Sequence, residues 1–349
     1  MKSLLLKIIA ISFLLVLIVG IWLLVDINNF RQSPLNIDEN GFHYEIKSGD
    51  TLTSLSRNLQ KQNILDKPRY LTVLGKVRRV ASKIKTGEYL FEQGTTPEQL
   101  LNKIVKGATI QYSATIVEGL SFREMMAALR ENEHLDHTLK GQKPAAIMAL
   151  IGKPGEHPEG RFLPDTYHFP RGTTDVEFLQ RAYSAMEDLL DREWQQRQQG
   201  LPLKSPYEAL ILASIVEKET AVPSERNAIA GVFVRRLKKR MRLQTDPTVI
   251  YGLGEKFDGN IRRRDLLNDT PYNTYRRHGL PPTPIAMPGV DAIKAALHPD
   301  DGDSLYFVAR GDGSHEFSST LEQHNNAVIK YQLKGRKRSF SSMPATSRK

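Results

Sequence analysis

The sequence predicts an α+β protein with three parts: an N-terminal transmembrane helix, a small strand–helix–helix–strand unit and a larger mixed α+β domain. Residues 8–25 form an apolar run without a charged side chain. Residues 42–108 alternate between strand-like and helix-like hydrophobic patterns, and residues 109–335 carry longer helical patterns between extended segments. The remaining predicted segments are a cytoplasmic tip at 1–7, a polar linker at 26–41 and a basic, disordered tail at 336–349.

The apolar run of residues 8–25 is long enough to cross a bilayer. As a helix it spans roughly 27 Å, close to the thickness of the hydrocarbon layer. Lys2 and Lys7 precede it and Asp26 follows it, so the positive-inside rule places the N-terminus in the cytoplasm and the rest of the chain outside. A cleaved signal peptide is the alternative, but the run is long for one and residues 22–26 offer no small-residue cleavage site.

Composition narrows the classes of function. The chain has no cysteine, which excludes disulfides, thiol catalysis and cysteine-based metal sites. The net charge of +10 favours an anionic neighbour such as a membrane surface or an acidic polymer, and export argues against nucleic acid. We expect no metal and no cofactor, because there is no Gly-rich phosphate loop and no metal-ligand spacing among His278, His298, His315 and His324.

The small unit at residues 42–108 contains a short recognisable sequence. Its predicted elements are a strand at 42–46, a turn at 48–50, helices near 52–59 and 70–80, a strand at 87–91 and an added helix near 96–101. This order and the Ser-Gly-Asp-Thr-Leu sequence at 48–52 resemble a LysM domain, a module that binds glycans containing N-acetylglucosamine. A scaffold domain without glycan binding is the alternative.

A helix is predicted from Pro206 to Glu219. Ser205 is a capping residue, Pro206 fits the first helical position and Glu208 can close a capping box. Residues at i, i+3, i+4 and i+7 then share one face: Leu212, Ile215, Val216 and Glu219.

The two glutamates near the end of this helix are not equivalent. Glu219 continues the apolar face, whereas Glu217 faces away from it. A carboxyl against aliphatic side chains loses hydration, so its pKa rises; moving it from about 4.3 to about 6.3 requires roughly 2.7 kcal/mol, which burial can supply. Glu219 is therefore the candidate acid. The alternative is a glutamate that emerges into solvent or pairs with an arginine.

The next helix is predicted from residue 223 to residue 240 and has a basic outer face. That face is either simply solvated or attracts membrane lipids or an acidic polymer. Its cations, with one just beyond the helix, are Arg235, Arg236, Lys238, Lys239, Arg240 and Arg242.

Downstream residues offer groups suited to a sugar. Gln244, Thr245 and Asp246 are short polar side chains next to a proline, and Tyr272 and Asn273 lie in an aromatic and proline-rich stretch that could line a groove. A turn that caps the following helix and ordinary packing are the respective alternatives.

Several segments together resemble one family, the endolytic murein transglycosylases, also called YceG-like. These segments are residues 213–220, 243–252, 272–275, 279–282 and 324–325. The likeness extends in order over nearly the whole chain. It implies cleavage of the β-1,4 bond between N-acetylmuramic acid and N-acetylglucosamine in nascent peptidoglycan, with formation of a 1,6-anhydro end. It also implies that Glu219, the second glutamate of its motif, is the catalytic residue.

The other expected roles follow from these assignments. We expect Gln244, Thr245, Asp246, Tyr272 and Asn273 to position the substrate or stabilise positive charge on the sugar. The resemblance implies an enzyme of the inner membrane, with its catalytic domain on the periplasmic side, that acts on glycan strands beside peptidoglycan synthases. Two alternatives remain: a non-catalytic peptidoglycan-binding anchor, and a muramidase-type hydrolase with Asp246 as the second carboxylate.

Overall fold

The computed structural model describes residues 2–333, which divide into two compact units. Among the described residues, the first unit contains 2–112 and 168–172, and the second contains 113–167 and 173–333. Helices and short strands occur in both, so the predicted α+β class is confirmed. The predicted tail at 336–349 lies outside the described residues.

The chain begins with a long helix, α1 (Lys2–Gln32). Its part from Ile9 to Gln32 is long enough to cross a membrane, and residues 9–25 within it are apolar and mostly exposed. The helix continues past the predicted end at residue 25. Asp26 accepts hydrogen bonds from Lys67 Nζ (2.8 Å) and the Tyr70 hydroxyl (2.7 Å), and Phe30 packs edge-to-face on the Tyr70 ring.

The segment predicted as a polar linker is therefore not a free tether. Its beginning is helical, and Leu35 and Ile37 are buried in the core of the first unit. Two apolar side chains among many polar neighbours are a weak pattern in the sequence, but they suffice to dock the segment.

The first unit contains the strand–helix–helix–strand order that the sequence predicts. Its elements are β1 (Phe42–Ile46), α2 (Leu52–Lys61), α3 (Pro68–Val77), β2 (Gly87–Phe91) and α4 (Pro97–Lys106). β1 and β2 pair antiparallel, with Phe42 opposite Phe91 and Ile46 opposite Gly87. Thr51 and Thr96 cap α2 and α4 with complete capping boxes. The kinship to LysM domains stays a prediction.

The chain then continues through a larger set of elements. They are β3 (Tyr112–Thr115), α5 (Phe122–Arg130), α6 (Pro144–Leu150), β4 (Thr166–Phe169), α7 (Asp175–Gln195), α8 (Pro206–Glu219), a 3-10 turn (Pro223–Glu225), α9 (Arg226–Lys238), α10 (Asp246–Leu253), a second 3-10 turn (Gly254–Lys256), α11 (Arg263–Leu267), α12 (Val290–Leu297), β5 (Tyr306–Ala309), β6 (His315–Ser318) and α13 (Leu321–Tyr331). β3 pairs with β4, and β5 pairs with β6. The helix predicted from residue 223 is thus a short 3-10 turn followed by α9.

α8 is the central helix of the second unit. It packs against α7, α9, α10 and α12, and every residue from 209 to 216 is buried. The sequence pattern predicts a single apolar face, but the other sides of α8 are buried as well because small residues there, Ala209, Ala213 and Ser214, admit close neighbours.

The start of α8 differs slightly from the predicted capping box. Ser205 Oγ accepts the Glu208 N–H (3.3 Å), as expected. The Glu208 carboxylate, however, accepts the N–H of Lys204 (2.7 Å) instead of that of Ser205. This hydrogen bond fixes Lys204, the residue before Ser205, to the first turn of α8.

Ser214 connects α8 to the loop before α12. Its hydroxyl donates to Ile211 O (2.7 Å) and accepts the N–H of Ile285 (3.0 Å), and the side chain is buried. Ser214→Ala is expected to lower the free energy of unfolding by about 1–3 kcal/mol, because the Ile285 N–H would stay buried without an acceptor. Thermal unfolding of the full chain in detergent measures this.

The matched control is Ser113→Ala, since Ser113 is exposed on β3. This change should alter the free energy of unfolding by less than about 0.5 kcal/mol. Equal unfolding temperatures for the two variants would contradict the role assigned to Ser214.

Candidate active site

Glu219 is the last residue of α8, and the extended backbone of Thr220 ends the helix. Its side chain is partly exposed, although the preceding turns of α8 are buried. The Thr245 hydroxyl donates a short hydrogen bond to Glu219 Oε1. No other hydrogen bond to this carboxyl occurs within residues 2–333. One carboxyl oxygen is therefore oriented, and the other is available to a ligand.

The surroundings of Glu219 favour its protonated form. Burial raises the pKa of Glu219 to about 7, as the sequence predicts in direction. The hydrogen bond from Thr245 lowers this pKa, the charge of Asp246 raises it further, and the nearby His315 and Arg236 lower it. The net result is a carboxyl that is about half protonated near neutral pH, which suits a group that donates and later accepts a proton.

Thr245 is held by a small network of buried threonines. Its N–H donates to Thr274 Oγ1 (3.1 Å), and Thr248 Oγ1 donates to Thr245 O (2.8 Å). The hydroxyl oxygens of Thr248 and Thr274 are 2.8 Å apart. The network joins the start of α10 to the loop around residue 274, so two sequence segments that the motifs single out meet beside Glu219.

Asp246 is the second carboxylate of the site. It is exposed, and Tyr275 donates a hydrogen bond of 2.6 Å to its Oδ1. Burial raises the pKa of Tyr275, and the charge of Asp246 raises it further, so the phenol stays protonated and continues to donate. Asp246 is thereby fixed in position while remaining open to solvent.

The other three predicted site residues are Gln244, Tyr272 and Asn273, and they have different surroundings. Gln244 is exposed in a left-handed conformation (φ 51°), and its N–H donates to Thr274 O (3.2 Å). The Tyr272 hydroxyl is 2.9 Å from Thr283 Oγ1. The Asn273 amide donates to three carbonyls, those of Asp265, Leu266 and Asn268. Tyr272 and Asn273 thus shape the loop, and their contact with substrate stays a prediction.

Arg236 contributes to this site although the sequence pattern placed it on a solvated outer face. The prediction was wrong: the side chain is buried, and it donates hydrogen bonds to Leu305 O (2.7 Å) and Leu243 O (2.6 Å). Its charge lowers the pKa of Glu219. Helical spacing offers a signal, because Arg236 lies four residues after the buried Val232 and three after the buried Phe233.

His315 and Glu225 also lie beside the site, although no pattern in the sequence indicates it. His315, at the start of β6, places Nδ1 2.7 Å from Glu225 Oε2, and its N–H donates to Glu225 Oε1 (2.9 Å). This pair fixes the β5–β6 hairpin against the 3-10 turn that follows α8. The proximity of His315 to Glu219 contributes to the charge balance of the carboxyl.

The side chain of Glu217 is largely shielded, with 8% of it exposed, and it has different partners from Glu219. It accepts the N–H of Gly289 (3.0 Å) and lies 3.6 Å from the guanidinium of Arg226. Arg226 also approaches Asp291 at 3.4 Å and Glu118 at 3.9 Å. Glu217 therefore joins α8 to α9 and α12, and its hydrogen bond and ion pair are structural.

Glu159 is a further buried carboxyl that the sequence analysis does not single out. It accepts the N–H of Phe122 (2.8 Å) and the hydroxyl of Tyr251 (2.9 Å). Burial raises the pKa of Glu159 to about 7. The ring centroids of Tyr251 and Tyr272 are 4.8 Å apart, so Glu159 supports the position of Tyr272 through Tyr251.

The fold and the site define an α+β protein with a carboxyl of raised pKa at the end of a helix that is buried in the core. Residues 44–330 match the family model described as the YceG-like family. The chain belongs to the YceG-like family, which confirms the resemblance carried by the motifs.

Two curated relatives and one solved structure are consistent with this family assignment. The chain is 32% identical over 303 residues to the endolytic murein transglycosylase of Bacillus subtilis, covering 82% of this chain and 83% of that protein. It is 26% identical over 336 residues to the endolytic murein transglycosylase of Streptococcus pneumoniae, covering 86% of this chain and 60% of that protein. The crystal structure of a yceG-like protein from Listeria monocytogenes matches with a TM-score of 0.50 at 28% identity, covering 83% of this chain and 99% of that chain.

Glu219→Gln is expected to stabilise the protein at pH 8 and to change its stability little at pH 5. The folded-state pKa of about 7 lies above the ordinary value of 4.5. The folded state therefore binds this proton more tightly, and stability falls as pH rises from about 4.5 through 7. The full effect is on the order of 3 kcal/mol. Thermal unfolding of both proteins at both pH values measures it, and an equal difference at the two pH values would contradict it.

Proposed function

We propose that this chain is a membrane-anchored endolytic lytic transglycosylase. It cleaves the β-1,4 bond between N-acetylmuramic acid and N-acetylglucosamine in nascent peptidoglycan strands, which terminates their elongation. The observation that carries the proposal is the Glu219 carboxyl, with a pKa of about 7 and one oxygen oriented by Thr245. Family membership and the murein transglycosylases among the relatives support the substrate class.

The proposed reaction uses one carboxyl twice. Protonated Glu219 gives its proton to the glycosidic oxygen while the sugar develops oxocarbenium character at C1. The C6 hydroxyl oxygen of the muramyl residue then attacks C1, and the Glu219 carboxylate accepts the hydroxyl proton. The glycosidic C–O bond is replaced by an intramolecular C–O bond, the carboxyl regains its proton, and no water is consumed.

Asp246 supports a second candidate function, a muramidase-type hydrolase. Hydrolases use two carboxyl groups, of which the second activates water or acts as the nucleophile. Asp246 is exposed, held by Tyr275, and near enough for its charge to raise the pKa of Glu219. In the transglycosylase, the same carboxylate stabilises the positive charge on the sugar, with Gln244 binding the substrate beside it.

The helix α1 and the first unit have proposed roles as well. α1 is a single-pass anchor in the inner membrane that places both units on the periplasmic side, supported by its apolar length and by Lys2 and Lys7 before the span. The β1–α2–α3–β2 unit is a LysM-like, glycan-binding module, supported by the order of its elements. Peptidoglycan synthases, which make the strands, are the proposed partners.

Product mass distinguishes the candidate functions. The full chain in detergent is mixed with uncrosslinked glycan strands, and the products are weighed. Anhydro ends, lighter than hydrolysis products by one water, support the transglycosylase, and hydrated reducing ends support the hydrolase. Strand binding without any cleavage would leave only the glycan-binding anchor.

Two matched variants test the catalytic residue. Glu219→Gln is expected to lower kcat by at least about a thousandfold, because glutamine cannot transfer the proton. Glu217→Gln makes the same chemical change two residues earlier on α8 and should retain cleavage, since the amide oxygen can still accept the Gly289 N–H. The reverse pattern would show that the catalytic assignment is wrong.

Thr245→Val tests the orientation of the carboxyl. The hydrogen bond from Thr245 lowers the pKa of Glu219, so its loss should raise that pKa and move the alkaline limb of the pH–kcat profile to higher pH. We expect kcat at the optimum to fall by roughly tenfold because the carboxyl loses its fixed orientation. A lower kcat with an unmoved alkaline limb would exclude this coupling.

A further inference from the structure

Beside the candidate active site lies a basic patch, defined here as Arg240, Arg242, Arg276 and His278. All four side chains are exposed. A ring nitrogen of His278 is 3.0 Å from Arg240 O, so the segment after α9 is joined directly to the segment after Tyr275. The patch is thus a surface built by the fold from two distant parts of the sequence.

The arginines of the basic patch form no direct ion pairs. Within residues 2–333, no salt bridge involves Arg240, Arg242 or Arg276, whereas the neighbouring Arg277 pairs with Asp269 at 2.8 Å. The charge of Arg276 also acts on Asp269 and helps to lower its pKa. Clustered cations repel one another, so an anion that binds there interacts favourably with all of them.

A pocket lies within the basic patch. It has a volume of about 480 Å³ and is lined by Leu237, Arg240, Met241, His278 and Gly279. Two apolar side chains and two basic ones suit a ligand that has both an aliphatic part and an anionic group. Volume and lining fit a peptide side chain.

Arg240 occupies a backbone position that favours glycine. It follows the C-cap of α9 with a left-handed φ of 54°, and Met241 N–H closes the helix end on Arg236 O (2.8 Å). Glycine is the usual residue there because a side chain is strained in this conformation. Strained residues cluster at ligand-binding sites, so the Arg240 side chain is a candidate for contact with a ligand.

The basic patch is continuous with the catalytic segments. Arg242 lies two residues before Gln244 and three before Thr245, the partner of Glu219. Arg276 directly follows Tyr275, whose hydroxyl holds Asp246. A polymer bound across Glu219 therefore brings its substituents to the patch.

We propose that the basic patch binds carboxylates of the short stem peptides that N-acetylmuramic acid residues carry, so that the enzyme selects peptide-bearing strands over bare glycan. This inference rests on the proposed function. The sugars of a strand are neutral once the lactyl group forms an amide with the peptide. The negative charge of an uncrosslinked strand is therefore in its stem peptides, and only they can use these arginines.

The test compares two substrates on the full chain in detergent: uncrosslinked strands with stem peptides, and the same strands after an amidase has hydrolysed the lactyl–peptide amides. The second substrate keeps one lactyl carboxylate on each N-acetylmuramic acid but lacks the carboxylates of the peptides. The wild type should have the lower KM for peptide-bearing strands. In an Arg240→Gly, Arg242→Gln, Arg276→Gln variant, we expect the ratio of the two KM values to fall roughly three- to tenfold, toward one. The matched control is Arg130→Gln, an exposed arginine of α5 outside the patch, which should keep the wild-type ratio.

Arg240→Gly alone separates binding from structure. Relief of the left-handed strain should raise the unfolding temperature by about 2–4 °C. The same change should raise KM for peptide-bearing strands. A more stable protein with unchanged KM would show that Arg240 only ends the helix, and would overturn its role in binding.

Binding to the Glu219→Gln chain keeps this test independent of catalysis. Its dissociation constants for the two kinds of strand should show the same preference, and the patch substitutions should abolish it. That result with no cleavage by the wild type would refute the proposed function and support the basic patch. Equal affinities with normal anhydro products would do the opposite. A preference of the wild-type chain for phosphatidylglycerol over phosphatidylcholine vesicles that the triple variant loses, with the strand preference intact, would assign the patch to the membrane and overturn the proposal.

Discussion

The burial of residues 209–216 of α8 on all sides is the constraint on which the rest of the second unit depends. Helices α7, α9, α10 and α12 pack around it, and small residues let them approach closely. The last residue of such a helix has little freedom to move. Glu219 is therefore placed by the core itself, and a single hydrogen bond from Thr245 suffices to fix its rotation.

The two glutamates near the end of α8 differ in their partners, although burial raises the pKa of both. Glu217 faces Arg226 at 3.6 Å and accepts a backbone N–H, so its charge has direct partners. Arg236 is near Glu219, but its guanidinium is engaged by the carbonyls of Leu243 and Leu305. The charge of Arg236 acts on Glu219, but the two side chains do not form an ion pair. Desolvation then prevails over attraction, and the carboxyl holds its proton near neutral pH.

Local signals in the sequence predict much of this architecture, and non-local contacts decide the rest. Ser205 and Pro206 locate the start of α8, and helical spacing selects Glu219 over Glu217. Arg236 was misassigned because its basic neighbours outweighed its spacing from Val232 and Phe233. Glu159 gives no local signal, since its partner Tyr251 is 92 residues away. The convergence of Thr245 with Thr274 likewise depends on tertiary packing, although the family motifs include both.

The docking of α1 has a consequence for how the protein searches for substrate. The helix runs without a break into contacts with Lys67 and Tyr70, so packed side chains attach the first unit to the helix that we propose as the membrane anchor. In a bilayer, such an attachment restricts diffusion to two dimensions and limits the tilt of the unit. The rate at which the protein encounters glycan strands then depends on the lateral density of strands at the membrane surface and no longer on their bulk concentration. Newly made strands near the bilayer are therefore encountered far more often than distant ones.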